Sequence, residues 1–388
     1  VYRRRNNNLA ASLAWGFLML LGILIVVIYV LVQRRLGNEV AITVRTTVLP
    51  SVTPTRSVES IAEDAENTYR RGDYRKAIDL FEQALRRKPN DAQLTFRLTR
   101  LLVLTGQASK AEQRLQRILQ LYPNDINLRA VNCMMLDWLG RVQQAVRECQ
   151  QAVALDPSNP IAQAYLAESQ ADAGDFRNAK SAAQKAIDLS LPNSDARVDA
   201  YRNMGYVNEL QGQYNDALYY YGQALEIGPQ LVHVLLSIGR AYSGAGYANR
   251  AIEYYDRAIK IDKDNAEAHE RLGSAYIGIG EFDKARLAIE QSIKIDPNRF
   301  SAWSRLGVVH FQGRRYEDTI VDITRAISLT EQTGQKLGAN DYIYLGFSYQ
   351  LTNNCAKAIE AFNKVNELYP NETSVKELAQ NGLRKCSK

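Results

Sequence analysis

Glycine recurs at a near-constant interval along most of this chain, at Gly72, Gly106, Gly140, Gly174, Gly212, Gly246 and Gly280. The interval is 34 residues at every step except the one from Gly174 to Gly212. A period of that size argues against a single globular core, because it defines one supersecondary unit used many times. The clearest copy is residues 266–299. There Leu272, Gly273 and Tyr276 share one face of a first helix, Ala285 and Ile289 share one face of a second, Gly280 separates the two and Pro297 ends the second. A hairpin this small cannot bury its apolar stripe alone and must stack on copies of itself.

Alignment on the turn glycine and the alanine that follows it gives nine units, beginning near Val58, Ala92, Ile126, Pro160, Val198, Val232, Ala266, Phe300 and Ala339. One small position, where two helices approach closely, is taken by Ala77, Ala111, Ala145, Ala179, Ala217, Ala251, Ala285 and Ala358; only Thr319 departs. Pro89, Pro123, Pro157, Pro229, Pro297 and Pro370 share a helix-ending position, as suits a residue that cannot donate to a helix.

The Leu-Gly-x-x-Tyr spacing at Leu272, Gly273 and Tyr276, with Ala285 and the Asp-Pro-Asn at 296–298, resembles a tetratricopeptide repeat (TPR). The resemblance implies an all-α, right-handed superhelical solenoid of about nine helical hairpins over 58–372. Residues 373–388 follow as a capping helix, with Val375, Leu378, Ala379 and Leu383 against the last hairpin and Lys376, Glu377, Gln380, Arg384 and Lys385 toward water. The period slips twice, by four residues near 194–197 and by five at 334–338. Each slip reads as a lengthened loop, the alternatives being a change of curvature or a partner contact.

Ahead of the repeats, residues 1–8 form a basic flank with Arg3, Arg4 and Arg5. Residues 9–32 hold no charge over 24 positions, a helix of about 36 Å against a hydrocarbon core of roughly 30 Å. Residues 9–33 are therefore expected to be a transmembrane helix, closed by Arg34 and Arg35. A buried core helix would carry a polar face. A cleaved signal peptide would have a shorter apolar region and an Ala-x-Ala site, so an uncleaved signal anchor is the better reading. Residues 34–57, with Thr43, Thr46, Thr47, Pro50, Thr53, Pro54 and Thr55, read as an extended linker.

The net charge of +6 is modest and contains no dense Lys/Arg run, so nucleic acid is not an expected partner; anionic lipid suits the flanking arginines better. His233, His269 and His310 fall in separate units without metal-ligand spacing and read as packing or surface residues. No phosphate loop or nucleophile elbow is present, and no unassigned stretch is long enough for a catalytic domain. No catalytic residue, metal, cofactor or small-molecule substrate is expected. Packing accounts for Tyr221 and Tyr255, whereas Tyr219, Tyr220 and Tyr254 read either as surface cover or as an outer-face contact.

Cys133 and Cys149 sit at nearly mirrored positions across the turn at Gly140, and Cys355 and Cys386 at equal distances from Pro370 and Asn371. Antiparallel helices bring each pair level, so two disulfides are expected, the alternative being four buried thiols. The resemblance implies a non-catalytic protein-protein interaction scaffold, a fixed subunit of a membrane-associated complex being a special case. The alternative is an accessory arm of an enzyme complex, such as a glycosyltransferase or a cell-envelope assembly machine. The three arginines ahead of the apolar run, against two behind it, favour a cytoplasmic N-terminus and extracytoplasmic repeats at a plasma (inner) membrane.

In such superhelices the first helix of each repeat lines the concave face. Exposed positions on those helices include Phe96, Arg100, Met134, Trp138, Arg202, Tyr206, Arg240, Phe311 and Phe347. The mixture of aromatics and arginines suits an extended segment with apolar and acidic side chains, and the arginines are favoured because an arginine rarely enters a core without a partner. The alternative is that these residues pack between adjacent first helices.

Overall fold

The structure, a computed structural model, describes residues 8–39, 56–333 and 335–386. Two compact units divide at Arg56 and Ser57. The first unit contributes one helix, α1 (Asn8–Glu39), which continues past Arg34 and Arg35. Its side chains are described over 19–35, and from Met19 to Val32 the large apolar ones are exposed. Among the described residues no helix is long and apolar enough to cross a membrane, so the anchor expected at 9–33 is not established by the structure. The basic flank and most of the linker lie outside the described residues.

The second unit is an all-α solenoid of nine hairpins and one further helix. The hairpins are α2 and α3 (Val58–Arg70, Tyr74–Arg87), α4 and α5 (Ala92–Leu104, Ala108–Leu121), α6 and α7 (Ile126–Trp138, Val142–Leu155) and α8 and α9 (Pro160–Asp172, Phe176–Leu189). They continue with α10 and α11 (Asp195–Leu210, Tyr214–Ile227), α12 and α13 (Val232–Gly244, Ala248–Ile261) and α14 and α15 (Ala266–Gly278, Phe282–Ile295). The last are α16 and α17 (Phe300–Gln312, Tyr316–Thr333) and α18 and α19 (Ala339–Leu351, Cys355–Leu368), followed by α20 (Thr373–Cys386).

Local chemistry explains the boundaries. Asp91 and Asp125 cap α4 and α6 by accepting from the backbone N–H of Leu94 and Leu128, and Asn159 caps α8 ahead of Pro160, which needs no N–H there. Each first helix then ends in a left-handed residue. That residue is Gly72 or its equivalent in seven hairpins and Arg314 and Asn353 in the last two.

The tight crossing within a hairpin follows from a glycine on the first helix and a large side chain on the second. A Cβ at Gly205 would sit 2.6 Å from the Tyr221 ring, and one at Gly239 would sit 2.4 Å from Tyr255, so both tyrosines are buried in the stack. Thr319 occupies the alanine position with its hydroxyl donating to the carbonyl oxygen of Gly307 at 3.2 Å.

Neither slip of the period is simply a longer loop. Residues 195–197 extend the N-terminus of α10, with Ser194 as its cap, giving a helix of 16 residues where most first helices have 13. The second slip lies beside α17, which runs to 18 residues instead of 14. On α20, Val375 and Ala379 are buried as expected, but Leu378 is 43% exposed because its position turns toward Glu377 and Gln380 on the open face.

Candidate partner-binding face

The first helices stack so that the twelfth residue of one repeat meets the ninth of the next, counted from the repeat starts. Tyr69 on α2 accepts from Arg100 on α4 at 3.0 Å. Glu209 on α10 accepts from Arg240 on α12, whose guanidinium lies 5.3 Å from the Tyr206 ring centroid. Between α6 and α8 the same positions hold Asp137 and Glu168, two acids. Glu168 is satisfied from elsewhere, accepting from Trp138 Nε1 at 3.0 Å and from Arg202 Nη2 at 2.6 Å. Both carboxyl oxygens of Asp137 are buried and receive no N–H or hydroxyl hydrogen bond, its partner being the neighbouring Asp172 carboxyl.

The first two hairpins reach across to the fourth through seventh. Arg100 donates to Asp199 on α10 through Nε and Nη2 and to the Tyr165 hydroxyl on α8. Tyr74 on α3 hydrogen bonds to His233 Nδ1 on α12 at 2.9 Å. Arg75 pairs with Asp264 at 3.1 Å beside a cleft of about 650 Å³, lined by Ile78, Leu104, Lys110 and Arg299 among others.

Electrostatics follow from this enclosure. Burial would raise the Asp199 carboxyl, but the Arg100 guanidinium outweighs it and holds the pKa below the ordinary value. Burial, with Glu168 and Asp172 close by, pushes Asp137 up to about 9. Burial, reinforced by Arg100 and Arg202, pushes His233 down to about 3.

The structure therefore divides the nine expected face residues. Phe96, Arg100, Met134 and Arg202 are buried. Trp138, Tyr206, Arg240, Phe311 and Phe347 are half-buried, with Phe311 against Tyr344 at 4.9 Å and Phe347 against Phe362 at 5.2 Å. The argument that favoured the arginines fails for a physical reason: Arg100, Arg202 and Arg240 each have a carboxylate partner within the chain. Those partners, Asp199, Glu168 and Glu209, escaped the sequence reading. Their one visible signal was an acidic residue on a first helix close to an arginine in register.

The cysteines pair as expected, Cys133 with Cys149 and Cys355 with Cys386, each with a Cα separation of 5.3 Å. His310 hydrogen bonds to Asp322, and His269 to the Lys263 carbonyl. Among the described residues no group of His, Cys, Asp or Glu is arranged to hold a metal. On the second helices Tyr219 is 63% exposed, while Tyr220 and Tyr254 are half-buried.

Stacked hairpins with a side-chain ladder along their first helices define a helical-repeat protein. Family models named tetratricopeptide repeat match residues 69–131 and 244–307, 160–230, and 342–372, together more than half of the chain. The chain belongs to the tetratricopeptide repeat family. Among solved structures it is similar to the APC/C hetero-tetramer Cut9-Hcn1, at 15% identity and a TM-score of 0.58, over 75% of this chain and 55% of that one. It is also similar to the human IFIT1 dimer with PPP-AAAA, at 17% identity and a TM-score of 0.53, over 80% of this chain and 82% of that one. The chain thus spans about half the length of the first, and both likenesses are of fold. No curated protein matches it in sequence.

Proposed function

We propose that this protein is a non-catalytic, membrane-anchored scaffold that binds partner proteins or extended peptides along the first helices of its repeats. The observation that carries the reading is the set of half-buried aromatics on that face, Trp138, Tyr206, Phe311 and Phe347, which keep accessible ring surface while the arginines beside them are neutralised internally. The repeat fold supports it, since TPR proteins typically mediate protein-protein interaction and the fold is generally non-catalytic. A photo-crosslinking amino acid placed at 138, 206 or 311 should give discrete adducts in the native membrane fraction. Adducts from position 219 in their place would move the site to the outer face.

The anchor is proposed from the uncharged run at 9–33, and the orientation from Arg3, Arg4 and Arg5 against Arg34 and Arg35. The protein then sits in a plasma (inner) membrane with a cytoplasmic N-terminus and its repeats outside the cytosol, where disulfides persist. Alkaline carbonate should leave the full chain with the membrane and release a variant lacking 9–33. Release of the full chain would remove the anchor. Protease added to cells stripped of outer barriers should degrade the repeats, and their protection would reverse the orientation.

A further inference from the structure

The two disulfides stand in opposite surroundings. Cys133 and Cys149 are both 0% exposed, and the Cys133 sulfur lies 3.8 Å from the Ser169 hydroxyl on α8, inside the stack. Cys355 and Cys386 are both half-buried, the first residue of α19 and the last of α20, at the end of the repeats. Thiol–disulfide exchange requires an incoming thiolate to reach one of the sulfurs, so access separates the two bonds. The inner bond is reached only when helices of the stack part.

The two ends of the outer bond also differ. Cys355 opens α19 directly after its N-cap Asn354, where the positive end of the helix dipole favours a thiolate. Cys386 closes α20, where the dipole has the opposite sign. Cys355 is therefore the better leaving group, and Cys386 is the sulfur to be attacked.

The bond also matters for what it holds down. Only Val375, Ala379 and Gly382 of α20 are buried, and two of these are small, so the helix is kept in place by little apolar area. Gln350 adds one tie, donating to the Gly382 carbonyl at 3.1 Å. Beneath α20 lies the Phe362 ring, which is 0% exposed and so close that a Cβ at Gly382 would sit 2.3 Å from it. Val365 and Ala358 continue that apolar surface.

We infer that the bond between Cys355 and Cys386 is a site of thiol–disulfide exchange, a reversible latch by which a dithiol reductant of the Cys-x-x-Cys type releases α20 and uncovers the apolar end of the solenoid around Phe362. The bond between Cys133 and Cys149 stays closed. The reductant's first thiolate bonds to the Cys386 sulfur, the disulfide breaks, and Cys355 leaves as the thiolate. The reductant's second thiolate then attacks its own sulfur in the mixed disulfide, Cys386 leaves, and the reductant departs as its disulfide. Two electrons and two protons have passed to the two cysteines. This reading does not depend on where partners bind.

The test uses the full chain in detergent, without denaturant, and dithiothreitol as the dithiol, with alkylation of freed thiols and peptide mass mapping over time. Cys355 and Cys386 should become labelled about a hundredfold faster than Cys133 and Cys149, because the inner pair waits for the stack to open. In denaturant the two rates should agree within about threefold, since access is then equal. Reduced glutathione, quenched early with acid, should leave its adduct on Cys386; an adduct on Cys355 overturns the assigned direction of attack. Amide exchange in α20 should speed up once the outer bond opens and slow again after reoxidation with oxidised glutathione. Cys355→Ser with Cys386→Ser should show the fast exchange without any reductant. Equal native rates for the two bonds, or earlier opening of the inner one, overturn the inference. So does unchanged protection of α20 after the outer bond has opened.

Discussion

The guanidinium of Arg100 and the carboxylate of Asp199, 99 residues apart in the chain, form a two-pronged ion pair at 2.8 and 3.1 Å, with exposures of 8% and 2%. A pair so enclosed contributes little net stability but is costly to break from one side, because the survivor is a buried, uncompensated charge. Arg100→Met should therefore lower the unfolding free energy by about 3 to 5 kcal/mol. The double variant Arg100→Met with Asp199→Leu should recover most of the loss. Urea unfolding of the four proteins in a cycle checks this.

Asp137 gives a pH signature of the opposite kind. Its folded pKa, about 9, lies above its unfolded value, so the native state costs nothing extra below about pH 4 and progressively more as pH rises toward 9. Asp137→Asn should raise stability at neutral and alkaline pH by more than about 1 kcal/mol, with the gain vanishing near pH 4. Thermal melts of variant and parent between pH 4 and 9 supply the comparison, and parallel curves would contradict the assigned environment.

The contact between Tyr74 and His233 should make the closure of the first hairpin onto the sixth sensitive to acid. His233 is held neutral with a folded pKa of about 3, below its unfolded value. The stability it contributes is complete above about pH 6.5 and is lost as pH falls from there toward 3. Amide exchange in α2 and α3 should speed up over that range, and His233→Gln should flatten the dependence.

The disulfide between Cys355 and Cys386 ties α20 to α19 across 31 residues, and loop closure of that length is worth about 4 kcal/mol. Reduction should loosen the C-terminal cap first, seen as early proteolysis within α20. Denatured, unreduced protein should show no free thiol, and the reduced protein four.

Two turn glycines should respond differently to the same change. Gly106 has a positive φ of 72° and open space around it, so Gly106→Ala should cost about 1 kcal/mol of backbone strain. Gly72 has a φ of 81°, and a Cβ there would lie 2.7 Å from the Gln230 carbonyl oxygen and 2.2 Å from an Ile261 methyl carbon. Gly72→Ala should cost about 1 to 3 kcal/mol more, since backbone cannot yield as a side-chain tip can. Paired chemical denaturation curves measure the difference.

Much of this fold is local and therefore legible. The glycine interval, the capping Asp and Asn residues, the small position from Ala77 to Ala358 and the mirrored cysteines specify helix, turn and neighbour within one or two repeats, where the chain's own geometry fixes which side chains meet. The direction of each substitution at those positions follows from sequence alone. The ladder was not legible in the same way. Arg100, Arg202 and Arg240 stand at positions that read as open groove, and only the stacked helices reveal Asp199, Glu168 and Glu209 as their partners. The contacts from Tyr74 to His233 and from Arg75 to Asp264 depend on small rotations accumulated over several repeats, a sum that no single repeat's residues encode. The sequence determined which units form and how each packs on the next; the curvature of the stack decided which inner charges are neutralised and left Asp137 without a cation, because that balance depends on residues far apart in the chain becoming neighbours in a medium that does not solvate them.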